Sequence, residues 1–242
     1  MRTGSLILAI LVLLAAFPAA ADDTAFATAR IALVDELRAY GRLDPPPGQD
    51  GFKEHVLEAL LDVERHEFVP DRLRSEAYAN HPLPIGHGQT ISQPYIVALM
   101  TDLAAPDEDD VVLEVGTGSG YQAAVLAKLV KQVYSIEIIE PLAEQAQRRL
   151  KRLGYENVTT RLGDGYFGWE DHAPFDAIVV TAAATHVPPP LIAQLKPGGR
   201  MVIPVGGRFT VQYLLLLEKT EAGDVLTRQI TAVRFVPLTG KH

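Results

Sequence analysis

Glu114-Val115-Gly116-Thr117-Gly118-Ser119-Gly120 places three glycines in five residues at the start of an alternating pattern. It follows the apolar run Val111-Val112-Leu113 and precedes an amphipathic pattern over residues 121–129. That is the order of a strand, a glycine turn and a helix. Glycines at such a junction let the backbone turn sharply and let a ligand come close. Working outward, further strands are predicted over 133–137, 158–162, 175–181 and 201–205, with helices over 141–153 and 189–195 between them. Strands alternating with helices through short connections predict a doubly wound, mostly parallel α/β sheet. The tail, 213–218 and 226–235, reads as two antiparallel edge strands around the turn Glu221-Ala222-Gly223-Asp224. Upstream, helices are predicted over 24–40 (with Gly41 as C-cap), 53–63 and 96–103, while the Gly/Pro-rich stretch 80–94 shows no period.

The first residues have the form of an export signal. Arg2 is followed by an uncharged apolar run, then Ala19-Ala20-Ala21 and Asp22-Asp23. The run is shorter than the ~20 residues of a membrane span. The expected organisation is a signal peptide at 1–21, a helical extension with a substrate loop at 22–105, and an α/β core with C-terminal strands at 106–242. Export to the periplasm or beyond follows from that signal, with no stable membrane span after its removal. A buried N-terminal helix or an uncleaved anchor is the alternative.

Composition narrows the function. Of 242 residues, 48% are hydrophobic and 21% charged, enough apolar material for a sizeable core. The net charge is −8, and no segment concentrates Lys and Arg, so a nucleic-acid partner is not expected. With no cysteine, disulfides, thiolate zinc sites and a Cys nucleophile are excluded. His81 and His87 flank the Gly/Pro-rich loop without paired acids, and are expected to be loop hydrogen-bonders rather than metal ligands.

The glycine loop discriminates between cofactors. A dinucleotide site wants G-x-G-x-x-G, the third glycine allowing close helix packing beside a pyrophosphate. Here Tyr121 holds that third position and the spacing is G-x-G-x-G, with Glu114 two residues before Gly116. S-adenosylmethionine carries a cationic sulfonium and an amino-acid moiety but no pyrophosphate, so an acidic neighbour suits it. Glu137 ends the second strand, where a carboxylate can accept from two ribose hydroxyls. Asp164, within Gly163-Asp164-Gly165, ends the third and can reach an adenine amino group; it also reads as an ordinary Asp-Gly turn. S-adenosylmethionine is therefore the expected cofactor, held by Glu114, Gly116, Thr117, Gly118, Glu137, Gly163 and Asp164.

The chain resembles the protein-L-isoaspartate O-methyltransferases. The resemblance rests on Gly163-Asp164-Gly165-Tyr166-Phe167-Gly168-Trp169 with Ala173-Pro174-Phe175-Asp176-Ala177-Ile178. It rests equally on Gly88-Gln89-Thr90-Ile91-Ser92-Gln93-Pro94, on Leu195-Lys196-Pro197-Gly198-Gly199 with Pro204-Val205-Gly206, and on Val233-Arg234-Phe235-Val236-Pro237-Leu238-Thr239. It implies the class I S-adenosylmethionine-dependent methyltransferase fold. It also implies a repair reaction, in which the α-carboxyl of an isoaspartyl residue is methylated and the ester then closes to a succinimide that hydrolyses partly to normal aspartate. Carried over, Gln89, Thr90, Ile91 and Ser92 contact substrate, Ser92 is the catalytic residue, and Thr239 closes over the cofactor. Read without the resemblance, Ser92 is a turn or N-cap serine before Pro94. Val97 stands where some relatives have a His, and the family is usually cytoplasmic. The implied partners are isoaspartyl proteins and peptides, and a monomer is expected. Two other readings stay open: a methyltransferase with another substrate, and a non-catalytic binder of damaged polypeptide.

Overall fold

The computed structural model describes residues 19–207 and 209–240. Most of the expected signal peptide, 1–18, lies outside the described residues, and Ala19-Ala20-Ala21 belongs to the first helix, α1 (Ala19–Leu43). The helix does not stop at Gly41 as expected. A Cβ at that position would lie 2.7 Å from the Phe52 ring, so this glycine serves close packing rather than capping. Then come α2 (Glu54–Asp62), two 3₁₀ turns (Arg65–Phe68 and Asp71–Glu76), and α3 (Pro94–Ala104). Between the 3₁₀ turns and α3 the supposedly aperiodic stretch forms an antiparallel hairpin, β1 (Leu83–Gly86) and β2 (Gln89–Ile91). Its turn holds His87 at φ +52.

The second half is the expected alternation. β3 (Val111–Val115) leads into α4 (Tyr121–Ala127), and β4 (Gln132–Glu137) into α5 (Glu140–Arg152). β5 (Val158–Leu162), β6 (Phe175–Val180), α6 (Pro189–Ala193), β7 (Leu195–Val205), β8 (Gln212–Lys219) and β9 (Val225–Val233) follow. β7 starts six residues before the expected Met201: Leu195 already pairs with Phe175, and the register then slips to Ala177 opposite Arg200. Pro197-Gly198-Gly199 is accommodated in that irregularity instead of marking a loop. The seven strands are ordered β5-β4-β3-β6-β7-β8-β9. β5 through β7 run parallel, and β8 and β9 add an antiparallel edge.

Successive strand residues face opposite sides of the sheet, and here both sides are buried. Val112, Ala177, Val179 and Val202 pack under α3 and α4 with Leu99, Met100, Leu103 and Leu126. Leu113, Val115, Ile178, Val180 and Ile203 pack on the other side with Trp169, Phe175 and Leu191. A third cluster joins Leu33, Leu37, Val56, Leu57 and Phe68 to Tyr121, Val125 and Leu150. The N-terminal helices are thereby fixed against α4 and α5, and they hold the β1–β2 hairpin over the end of β3.

Candidate active site

β3 is the switch point of the sheet. The chain steps from it to β4 and β5 on one side, then returns to β6 and β7 on the other. Open α/β sheets bind ligands in the crevice beyond such a point. Gly116 (φ +98) is the first residue of the loop there, and a Cβ on it would come within 2.5 Å of Thr181 Oγ1. Thr181, just past β6, donates its hydroxyl to the Gly116 carbonyl (2.6 Å) and its N–H to Val115 (2.9 Å).

The loop's N–H groups are turned back into the protein. Those of Gly116 and Thr117 donate to the Ile136 carbonyl at 2.8 and 3.2 Å. That of Gly118 donates to Glu137 Oε2 at 2.8 Å. A pyrophosphate-binding loop needs such donors free. Here they hold the loop to the end of β4, which agrees with the spacing argument against a dinucleotide. Glu137 is fixed by the same bonds, its other oxygen accepting from Ile139 N–H (2.9 Å). Each carboxylate oxygen keeps lone-pair capacity toward the cleft.

Two adjoining recesses meet at this loop. The first is lined by Gln89, Thr90, Gly116, Gly118, Glu137 and Thr239, and also by Ile138, Ile139, Thr181 and Leu238. The second is lined by Thr90, Ile91, Ser92, Glu114, Gly116, Thr117 and Gly118, together with Val97, Tyr121 and Thr181. Nearly all the sequence-predicted residues therefore converge. Gly163 and Asp164 stand apart from both linings, although Gly165 beside them belongs to the first. The Asp164 carboxylate accepts from Tyr166 N–H (3.0 Å) and is packed so closely against Gly240 that any Cβ there would collide with it. Val236 and Leu238 bond to either side of Ala183, drawing Thr239 over the cleft.

Glu114 lies on the floor of the second recess and is fully buried. Ser135 Oγ donates to its Oε2 and in turn meets Thr117 Oγ1 at 2.6 Å. Its Oε1 has no hydrogen-bond partner among the described residues. Desolvation pushes its pKa up to about 8, with the nearby Glu137 carboxylate adding to it and the Ser135 hydrogen bond and the Ala123 backbone N–H pulling the other way. An unsatisfied buried acceptor in a recess is suited to a cationic ammonium. Together with the Glu137 carboxylate and the glycine cradle, it fits the amino-acid and ribose ends of S-adenosylmethionine.

Thr181 is marked in the sequence only as the end of a strand, and Ser135 and Arg65 are not marked at all. Thr181 is the residue after a strand, a position where site residues gather. Ser135 and Arg65 carry no local signal, since their hydrogen-bond partners are remote in sequence. The Arg65 guanidinium is wholly buried and donates to the Ala77 and Ser92 carbonyls.

Sheet order, loop and recess together define a class I, S-adenosylmethionine-dependent methyltransferase. The chain belongs to the protein-L-isoaspartate (D-aspartate) O-methyltransferase family, whose model matches residues 32–242. It is 62% identical over 224 residues to protein-L-isoaspartate O-methyltransferase 1 of Cupriavidus necator, covering 92% of this chain and 86% of that one. It is 59% identical over 243 residues to protein-L-isoaspartate O-methyltransferase 2 of Syntrophobacter fumaroxidans, covering 99% and 98%. A solved protein-L-isoaspartate O-methyltransferase superposes with a TM-score of 0.76 at 31% identity, over 87% of this chain and 66% of that one. A Plasmodium falciparum structure, described as a putative protein-L-isoaspartate O-methyltransferase in complex with S-adenosyl-L-homocysteine, shares the fold. Its TM-score is 0.71 at 24% identity, over 87% of this chain and 98% of that one.

Proposed function

We propose that the chain repairs damaged polypeptides by methylating the α-carboxyl of L-isoaspartyl residues, with S-adenosylmethionine as donor. The observation that carries this reading is the shared wall of the two recesses. Thr90 borders both, so the Thr90-Ile91-Ser92 segment meets the cofactor cleft where a methyl group would be passed. When bound, S-adenosylmethionine supplies an electrophilic methyl group on a sulfonium.

The chain's own residues have little bond chemistry to do. A carboxylate with an ordinary pKa near ~4 is ionised at neutral pH, so no base is needed to make the nucleophile. A carbon–oxygen bond forms as the carbon–sulfur bond breaks, and the two opposite charges cancel. What remains is alignment and exclusion of water. In this reading Ser92 donates its hydroxyl to one carboxylate oxygen and leaves the other directed at the methyl group. Gln89, Thr90 and Ile91 shape the substrate side. Glu114 meets the amino-acid end of the cofactor, Gly116, Thr117 and Gly118 cradle it, and Glu137 holds the ribose. Gly163 and Asp164 bound the adenine end, where Thr239 closes the cleft.

We assign 22–105 to the helical extension with the substrate loop and 106–242 to the cofactor-binding core, acting as a monomer. Residues 1–21 direct the chain to the periplasm or beyond in this proposal; the cytoplasm is the alternative. No helix among the described residues is long and apolar enough to cross a membrane. Mass spectrometry of the mature N-terminus checks the export reading, which an intact Met1 in a soluble fraction would sink. The function is tested by methylation of an isoaspartyl peptide and its normal aspartyl twin. Methyl transfer to the first alone is expected, and equal transfer to both would point to another substrate.

A further inference from the structure

Among the described residues, Arg65 is a buried cation without an acidic partner. It is 0% exposed, in the 3₁₀ turn after α2. Nε donates to the Ala77 carbonyl and Nη2 to the Ser92 carbonyl, both at 2.8 Å. The guanidinium carbon stands 4.8 Å from the centroid of the Tyr121 ring. Nη1 is buried and has no hydrogen-bond partner among the described residues. Burial lowers its pKa to about 10, opposed by the charge and hydrogen-bonding influence of Tyr121 and by Tyr78, so the side chain is still charged at neutral pH. Burying a charge this way is costly, and a well-packed apolar residue of like volume is often the more stable choice. Packing alone therefore does not account for an arginine here.

Its contacts link three parts of the site. Ser92 lies in the segment that leaves the β1–β2 hairpin. The turn of that hairpin, Gly86-His87-Gly88, has positive φ at all three residues, and nothing lies within 4 Å of where a Cβ on either glycine would be. The segment is held as far as Ile91 by its pairing with Leu83 and by burial of Ile91 in the core, and the Arg65 bond to the Ser92 carbonyl extends that hold by one residue. Tyr121, on the other side of the guanidinium, opens α4 directly after the glycine loop and lines the same recess as Ser92. The forked geometry of one guanidinium thus spans the extension at Ala77, the substrate segment at Ser92 and the cofactor helix at Tyr121. An ammonium on a flexible stem does not reproduce that fork.

We infer that Arg65 is a positioning residue for methyl transfer: by holding the Ser92 carbonyl and lying over Tyr121, it sets the substrate segment against the glycine loop. It touches neither substrate nor cofactor and acts through Ser92. The inference rests on the proposed role of Ser92 and deepens it.

The test compares Arg65→Met, Arg65→Lys, Arg65→Ala and Ser92→Ala in the full chain. Each is followed by kcat and KM on an isoaspartyl peptide, by affinity for S-adenosylhomocysteine, and by Tm. A misplacement of about 1 Å at the reacting centre costs on the order of 10²-fold. Arg65→Met should lose about that much kcat/KM, with S-adenosylhomocysteine affinity kept within about threefold. Arg65→Lys should recover only part, and millimolar methylguanidinium should raise the turnover of Arg65→Ala but not that of Ser92→Ala. Unchanged kcat/KM in Arg65→Met overturns the inference. So does a loss of turnover and cofactor-analogue affinity in parallel with the folded fraction, which marks Arg65 as structural only. Full turnover in Ser92→Ala defeats the reading of the site itself, whereas an impaired Ser92→Ala beside an unimpaired Arg65→Met defeats this inference alone.

Discussion

Ser92 is where chemistry and sequence agree most closely. A hydrogen bond to a charged group contributes about 1.5–3 kcal/mol, or roughly 10- to 10²-fold in rate if made in the transition state. Ser92→Ala is accordingly expected to lower turnover on an isoaspartyl peptide by about that factor, while titration with S-adenosylhomocysteine gives an unchanged affinity. Glu137→Gln belongs to the other half of the site. It keeps an acceptor oxygen but loses the charge and the symmetric hold on Gly118 and Ile139. A loss of roughly tenfold or more in S-adenosylhomocysteine affinity is expected by calorimetry. An unchanged affinity would remove Glu137 from the cofactor site. Both residues stand out in the sequence by a local signal, a strand end for one and a family motif for the other, and both line the recesses at the glycine loop. Arg65 has no such local signal: its partners are the carbonyls of Ala77 and Ser92, 12 and 27 residues away.

Periodicity locates the elements well but their ends unevenly, α1 running Ala19–Leu43 against an expected 24–40. β5 has the expected bounds, and α5 runs Glu140–Arg152 against an expected 141–153. The β1–β2 hairpin was invisible because three- and four-residue strands broken by Pro and Gly leave no period to detect. Pro197-Gly198-Gly199 has the look of punctuation and hides the start of β7, yet pairing to β6 overrides it. The end of α3 offers an element-scale test. Ala105 caps it at φ 48, ψ 55, a left-handed conformation that glycine adopts without strain. A non-glycine residue there costs roughly 1–2 kcal/mol. Ala105→Gly should raise Tm by a few degrees, roughly 2–4 °C per kcal/mol in a chain of this size, with methyl transfer unaltered. A lower Tm would mean that the added freedom of the unfolded glycine outweighs the relief of strain.

At the scale of the whole molecule, fold and site compete for one proton. Glu114 sits in the central strand with its carboxyl buried and its pKa raised from the usual carboxylate value to about 8. The native state keeps a proton that the unfolded chain releases above its ordinary pKa of 4.5. The favourable contribution of the protonated acid is therefore whole below pH 4.5 and is lost as pH rises toward about 8, above which the buried carboxylate is ionised. Glu114→Gln removes that dependence. At pH 5 the variant and the parent should melt close together, and by pH 8.5 the variant should be the more stable. The difference grows by at most about 1.4 kcal/mol per pH unit across the window. Cofactor binding should move the other way. If the amino group of the ligand meets Glu114, binding favours the ionised acid and releases a proton. S-adenosylhomocysteine affinity should then rise with pH between 6 and 8 in the parent and lose that rise in Glu114→Gln. Parallel pH profiles for the two proteins would place Glu114 in the fold alone. A steeper profile in the parent, with a more stable but weakly binding variant at pH 8.5, would show that the buried acid is retained for the ligand at the expense of stability.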